Sequence, residues 1–145
     1  MRLVNEQLAG ALAAEEAAIY AYGPIGVHLA DAREQAEARA AEAVHRDRRD
    51  ALVSRLASAS ASAGPAPAPA GYALPFPVTD RASALKLAVH VEDGVAQAWR
   101  PVLAVTTADE RASALNALTD AAVRATRWRR HADVTPLTLP FPGRP

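Results

Sequence analysis

The chain has 145 residues, half of them apolar, so it can form one domain with a hydrophobic core and is not expected to be disordered. Its 16 basic and 16 acidic residues balance, which argues against strong attraction to nucleic acid or to an anionic membrane. Cysteine is absent, which excludes disulfides, thiolate metal sites and cysteine nucleophiles. The start "MRLVNEQLAG" lacks a signal-peptide pattern, and no uncharged stretch approaches the roughly 20 residues of a membrane span, so we expect a cytoplasmic protein without membrane contact.

Helix is the expected secondary structure, because alanine supplies 37 residues and alternating strand patterns are nearly absent. The Gly-Pro pair at 23–24 should kink or break the first helix near its end, and Pro101 should bend the third. The sequence therefore predicts an all-α chain with four helices, at about 4–29, 32–58, 80–105 and 108–130.

Three of these helices begin at residues that are typical N-caps. Asp31 and Thr107 are each followed by a glutamate three residues later, the pattern of a capping box in which two side chains bind each other's backbone N–H. The third helix has Asp80, or Thr79 just before it, at the corresponding place. These residues predict where the second, third and fourth helices start.

The segment 59–79 is rich in Ala, Ser, Pro and Gly and predicts an extended connection. At about 3.1 Å per residue it can reach some 60 Å, more than the roughly 40 Å length of a long helix. Two short connections and one long central one are typical of a four-helix bundle with a single crossover. We therefore predict one up-down-down-up domain over 1–145, with 131–145 as a C-terminal tail.

The motif Leu-Pro-Phe-Pro occurs twice, at 74–77 and at 139–142. It could be a proline-rich ligand for a partner domain. We favour the alternative that each copy is an extended cover whose phenylalanine fills one end of the bundle.

Several polar residues fall on helix faces that otherwise carry apolar residues. Glu15 lies on this face of the first helix, Glu42 and His45 share a face of the second, and Glu92 lies on that of the third. A buried polar residue is informative because it needs a partner. The nearby Tyr20 and Tyr22 are expected in the core, with their hydroxyls on carboxylates.

One glutamate on the first helix, Glu-x-x-His on the second, a long crossover and a glutamate on the third together resemble the ferritin-like superfamily. In its di-iron and di-manganese members the fourth helix adds a second Glu-x-x-His. The resemblance implies that Glu15, Glu42, His45 and Glu92 match metal-ligand positions. Four strings look closer still to an actinobacterial ferritin-like family without an established activity, domain of unknown function 4439: AAEEAAIYAYGPIG, HRDRRDAL, YALPFPVTD and LTDAAVRATRWR.

The fourth helix departs from the superfamily pattern. Where a second Glu-x-x-His is expected, Asp120 is followed by Val123 three residues on and by Arg124 four residues on. At most four ligands remain, which could hold one iron, manganese or zinc ion. Asp120 also lies off the apolar stripe predicted for this helix, which consists of Leu115, Leu118, Ala122 and Ala125.

A guanidinium on the same face offers a second interpretation, because it binds carboxylates and can supply the positive charge that a metal otherwise provides. We favour a non-catalytic protein without a cofactor, in which a buried ionic network consists of Glu15, Glu42, His45, Arg49 and Glu92. The alternative is a mononuclear, or as a less favoured case di-nuclear, metal-binding protein or oxidoreductase that holds iron or manganese through Glu15, Glu42, His45 and Glu92.

The string RATRWRRH, residues 124–131, is basic and contains Trp128. It could stack on and neutralise a nucleic acid. Cations also suit the last turn of a helix, however, and Trp128 can pack under the tail. Because the net charge is zero, we do not expect nucleic-acid binding. The expected assembly is a homodimer, and the sequence identifies no other protein partner.

Overall fold

The computed structural model describes residues 1–59 and 65–145, and residues 60–64 of the predicted crossover lie outside the described residues. The described residues form four helices and no strand, which confirms the all-α prediction. Each helix ends within two residues of the predicted place. The helices are α1 (Arg2–Val27), α2 (Ala32–Ala59), α3 (Arg81–Val105) and α4 (Ala108–His131).

The helices run up, down, down and up. Glu34 of α2 contacts Arg81 of α3, and His45, further along α2, contacts Glu92, further along α3. Helices α2 and α3 are therefore parallel. Two parallel helices that follow each other in the chain need a connection long enough to return along the bundle, and the segment between α2 and α3 is the long one. Short connections join α1 to α2 and α3 to α4, and both of these pairs are antiparallel. The main packing is of α1 on α2, α1 on α3 and α3 on α4.

The apolar core is divided into two clusters. The first cluster contains Leu8, Leu12 and Leu52, and the second contains Ile25, Leu87 and Trp128, among other buried residues. Between them, along each of the first three helices, lies one fully buried polar residue: Glu15, His45 and Glu92. The middle of the bundle is therefore a charged layer with an apolar cluster on either side.

The predicted caps were correct at two helix starts, one of them only in part. Asp80 accepts a hydrogen bond from the Ser83 backbone N–H at 2.8 Å, and the Ser83 hydroxyl oxygen accepts from the Asp80 N–H at 3.1 Å. Asp31 accepts from the backbone N–H of Glu34 at 3.1 Å. The Glu34 side chain does not complete that capping box, because it binds Arg81 instead.

The capping box predicted for α4 was wrong. Thr107 makes no side-chain cap, and Glu110 accepts a hydrogen bond from Arg55 Nε on α2 at 2.7 Å. Helix α1 continues past Pro24, so the break, one of the two predicted alternatives, is not observed. Pro101 lies inside α3.

The two Leu-Pro-Phe-Pro segments differ in how deeply they pack. Leu74 and Phe76 of the first copy pack against the second cluster, and the Lys86 ammonium lies 4.5 Å from the Phe76 ring centre. Leu139 and Phe141 of the second copy are 44% and 66% exposed. The prediction that each phenylalanine fills an end of the bundle was therefore wrong for the second copy.

The C-terminal tail lies along α3 and α4. Arg100 donates a hydrogen bond to the carbonyl oxygen of Pro142 at 3.2 Å. Gly143 has φ +80°, and a Cβ atom at this position would lie 2.6 Å from the carbonyl oxygen of Ala96. Only glycine allows this close approach of the tail to α3.

In the part of the chain that the structure describes, no helix has the length and apolarity required to traverse a bilayer.

Candidate functional site

Glu15, His45 and Glu92 meet in the charged layer, and all three are fully buried. The His45 ring lies between the two carboxylates. Its Nδ1 is 2.5 Å from Glu15 Oε2, and its Nε2 is 2.9 Å from Glu92 Oε1. Both ring nitrogens are therefore used, one toward α1 and one toward α3.

Aromatic donors complete the surroundings of the two carboxylates. Trp99 Nε1 donates to Glu15 Oε1 at 2.6 Å, and the Tyr22 hydroxyl donates to Glu92 Oε1 at 2.6 Å. Trp128 Nε1 in turn donates to the Tyr22 oxygen at 2.9 Å. Burial, strengthened by the charge of Glu92 and the hydrogen bond to it, raises the pKa of Tyr22 well above its ordinary value, so its hydroxyl stays protonated and remains a donor.

Helix α4 contributes an arginine to the layer. Arg124 Nη1 donates to Glu92 Oε2 at 3.2 Å, and its Nη2 donates to Asp120 Oδ2 at 2.6 Å. Asp120 Oδ2 also lies 3.0 Å from Arg48 Nη2 on α2. The network thus extends from the buried layer to the surface through alternating positive and negative groups.

His45 carries a positive charge in this setting. Burial by itself lowers the pKa of His45, because it disfavours the imidazolium. Hydrogen bonds to Glu15 and Glu92, with the negative charges of both, outweigh burial and raise the pKa from 6.5 to about 9. The charges of Glu15 and Glu92 are then balanced by those of His45 and Arg124.

Two residues predicted for the site lie outside it. Glu42 Oε1 accepts a hydrogen bond from Arg46 at 3.0 Å at the partly exposed rim of α2. Arg49 Nε donates to its neighbour Asp50 at 2.8 Å. The placement of Glu42 and Arg49 in the buried network was therefore wrong, although the inward orientation of Glu15, His45 and Glu92 was correct. A residue three positions before His45 is rotated by about 60° around the helix, far enough to reach the rim.

Arg124 is the network residue that was not predicted from the sequence. The predicted stripe of α4 included Leu115, which is 51% exposed. The observed stripe is rotated from it and includes Ala117, Ala121 and Trp128. Arg124 falls between Ala121 and Trp128 at helical spacing, which is the signal that could have placed it inward.

The aromatic residues also differ from expectation. Tyr22 binds Glu92 as predicted, whereas Tyr20 is 42% exposed and packs beside the Tyr72 ring at 5.2 Å between centres. Trp128, for which packing under the tail was one possibility, lies fully buried in the second cluster.

The side chains that meet here do not fit a metal ion in this arrangement. Among the residues that the structure describes, no three His, Cys, Asp or Glu side chains are placed to hold one. Glu15 and Glu92 bind opposite nitrogens of one ring and do not converge on a common point. Both ring nitrogens of His45 are occupied by carboxylates, and Arg124 brings a cation to Glu92.

The fold and the site define an all-α four-helix protein with a charged layer in its core. The chain belongs to the family described as a domain of unknown function (DUF4439), whose model matches residues 7–145. It is similar to a solved structure of a conserved hypothetical protein from Mycobacterium tuberculosis, with 40% identity and a TM-score of 0.83 over 90% of this chain and 97% of that one. The resemblance inferred from the sequence strings is thereby confirmed. Comparison with curated proteins gives no match.

The raised pKa of His45 predicts a specific pH dependence of stability. The folded value of about 9 exceeds the ordinary value of 6.5, so the contribution is complete below pH 6.5 and is lost as the pH rises through about 9. This difference in pKa corresponds to about 3 kcal/mol. We expect the free energy of unfolding in urea to fall from pH 6.5 to pH 9 in the wild type, and His45→Gln to lack this fall. A flat wild-type profile would contradict the charge assigned to His45.

The two arginines provide a matched pair of variants. Arg124→Ala removes a cation from buried Glu92, so we expect the free energy of unfolding to drop by about 3–5 kcal/mol. Arg49→Ala removes only a contact to its exposed neighbour and should change it by no more than about 0.5 kcal/mol. Urea unfolding of both variants measures the contrast. The opposite order would assign the buried position to Arg49.

Proposed function

We propose that this protein is a non-catalytic, ferritin-like helical bundle in which a buried ionic network takes the place that a metal centre has in other members of the superfamily. One observation carries the proposal: the His45 ring lies between Glu15 and Glu92, with a carboxylate on each of its nitrogens. A metal ligand needs one of those nitrogens free.

The occupancy of the carboxylate oxygens supports the same proposal. Glu15 accepts from Trp99 on one oxygen and from His45 on the other. Glu92 accepts from His45 and Tyr22 on one oxygen and from Arg124 on the other. A metal would have to displace several charge-assisted hydrogen bonds, each worth about 1.5–3 kcal/mol.

The role that follows for the network is to fix the alignment of the helices. Each helix supplies one member: Glu15 from α1, His45 from α2, Glu92 from α3 and Arg124 from α4. Sliding any helix by one turn would leave a buried charge without its partner, at a cost of several kcal/mol. The bundle then acts as a rigid scaffold that presents its outer surface to other molecules.

We further propose that the scaffold is a cytoplasmic homodimer. The supporting observation is an exposed apolar strip on α4 and the tail, formed by Leu115, Val123, Leu139 and Phe141. Leu115 and Val123 are eight residues apart and share one face of α4. Val123, Leu139 and Phe141 border the same groove. A second copy can bury such a strip against its own, because twofold dimers pair identical surfaces.

Metal loading tests the proposed network. Untagged protein is incubated anaerobically with iron(II) or manganese(II), desalted and analysed for metal per chain. We expect a content well below one ion per chain, because the site has no free ligand set.

The contrary result is equally specific. One ion retained per chain, and lost in both Glu15→Gln and His45→Gln, would replace the ionic network with a mononuclear metal centre. Glu42→Gln serves as the matched control, because Glu42 lies at the rim beside Arg46.

Sedimentation velocity tests the proposed dimer. We expect the wild type to sediment as a dimer and the double variant Leu115→Ser, Val123→Ser as a monomer with unchanged helix content. A wild type that stays monomeric over the concentration series would remove the dimer from the proposal without affecting the network.

A further inference from the structure

A cleft lies between α2 and α4, the two helices that run side by side with little direct backbone packing. Salt bridges close its two ends: Arg48 to Asp120 at 3.0 Å, and Arg55 to Glu110 at 2.7 Å. The arginines are seven residues apart on α2, which corresponds to about 10 Å. The cleft has a volume of about 460 Å³, within the range of small-molecule sites.

The floor of the cleft is apolar and reaches the core. It includes Leu8, Leu52, Trp99 and Ala117, all of them buried. Trp99 also donates its Nε1–H to Glu15, so a molecule on this floor would contact a side chain of the buried network. An apolar floor stabilises a ligand by removing its hydrocarbon surface from water.

One end of the cleft carries an incompletely satisfied cation. Arg48 Nη2 is paired with Asp120, but Arg48 Nη1 is buried and has no hydrogen-bond partner in the described part of the chain. Asp120 is shared with Arg124, so two guanidinium groups compete for one carboxylate. A buried donor without a partner costs about 1–3 kcal/mol, more when it is charged. Because Nη1 itself is closed to solvent, an anion offsets that cost only when the Arg48 side chain turns this nitrogen toward the cleft that it lines.

The opposite end is the more acidic one, because two carboxylates there face a single guanidinium, that of Arg55. Asp109 and Glu110 line it, and Glu110 already holds Arg55. The excess of negative charge at this end disfavours an anion there, so we place the anion beside Arg48, with its apolar part extending over Trp99. This polarity distinguishes the cleft from a general anion site.

We propose that the α2–α4 cleft binds a small organic carboxylate with an apolar body, the carboxylate on Arg48 and the body on the floor formed by Leu8, Leu52, Trp99 and Ala117. This site goes beyond the proposed scaffold role and does not depend on it. It uses the only enclosed, unpaired guanidinium nitrogen among the described residues.

Octanoate serves as the probe, with octanol as its neutral counterpart and inorganic phosphate as an anion without an apolar body. Isothermal titration calorimetry gives the affinity, and the combined fluorescence of Trp99 and Trp128 gives a second readout of binding. We expect saturable octanoate binding with a change in fluorescence, and affinities about 10-fold or more weaker for octanol and for phosphate, because each lacks one of the two contacts.

Two variants locate the site. Arg48→Gln should weaken octanoate binding by about 10-fold or more while leaving octanol unchanged. Ala51→Phe fills the cleft from the exposed face of α2 and should abolish binding of octanoate without disturbing the core. Ala43→Phe is the matched control, since Ala43 is exposed on the same helix but does not line the cleft.

Three results would overturn the proposal. One is the absence of saturable octanoate binding to the wild type. Another is equal affinity for octanoate and octanol, which would leave Arg48 without a role, or equal affinity for octanoate and phosphate, which would remove the apolar floor. The third is a binding loss of the same size in Ala43→Phe and Ala51→Phe, which would place the ligand elsewhere.

Discussion

The position of the His45 ring between two glutamates is the constraint on which the other features of the bundle depend. Taking Glu15 and Glu92 out of water is favourable only if each meets a positive charge and enough hydrogen-bond donors. The imidazolium supplies one charge to both carboxylates, and Arg124 supplies the second. Because these residues come from four helices, their pairing sets the position of each helix along the bundle axis relative to the others.

Stability and alignment come from different parts of this core. The two apolar clusters remove leucine, isoleucine and tryptophan side chains from water and provide the larger part of the favourable free energy. The charged layer between them adds little net stability, since desolvation offsets much of the attraction. An apolar core of mostly alanine and leucine would allow the helices several alignments of similar energy. The charged layer selects one of them.

The sequence was sufficient for the helices because their signals are local. Alanine content favours helix along each segment, whereas the Asp80 cap and the proline-rich connection mark where helices begin and end. Periodicity also placed Glu15, His45 and Glu92 inward. It did not resolve the rim from the core, so Glu42 and Arg49 were assigned too deep a position. Long side chains at such borders can turn either way, and the choice depends on the neighbouring helix.

Arg124 and Glu110 show the same limitation from the other side. Arg124 reaches Glu92 from a partly buried position, and Glu110 leaves its expected cap to bind Arg55 on α2. Both contacts depend on which helix lies opposite, and the spacing of residues along one helix does not contain that information. The second Leu-Pro-Phe-Pro copy is a further case. The second copy has the same four residues as the first but packs on a different surface, so Phe141 stays exposed.

The charge balance of the layer decides which substitutions this chain tolerates. Removing Arg124 alone leaves one carboxylate in excess, whereas removing Glu92 alone leaves one cation in excess. Either single step is costly, although the paired exchange of both for apolar residues of similar volume is tolerated far better. In this chain the charges at the four positions are therefore coupled, and a replacement that keeps the layer neutral has to change at least two of them together.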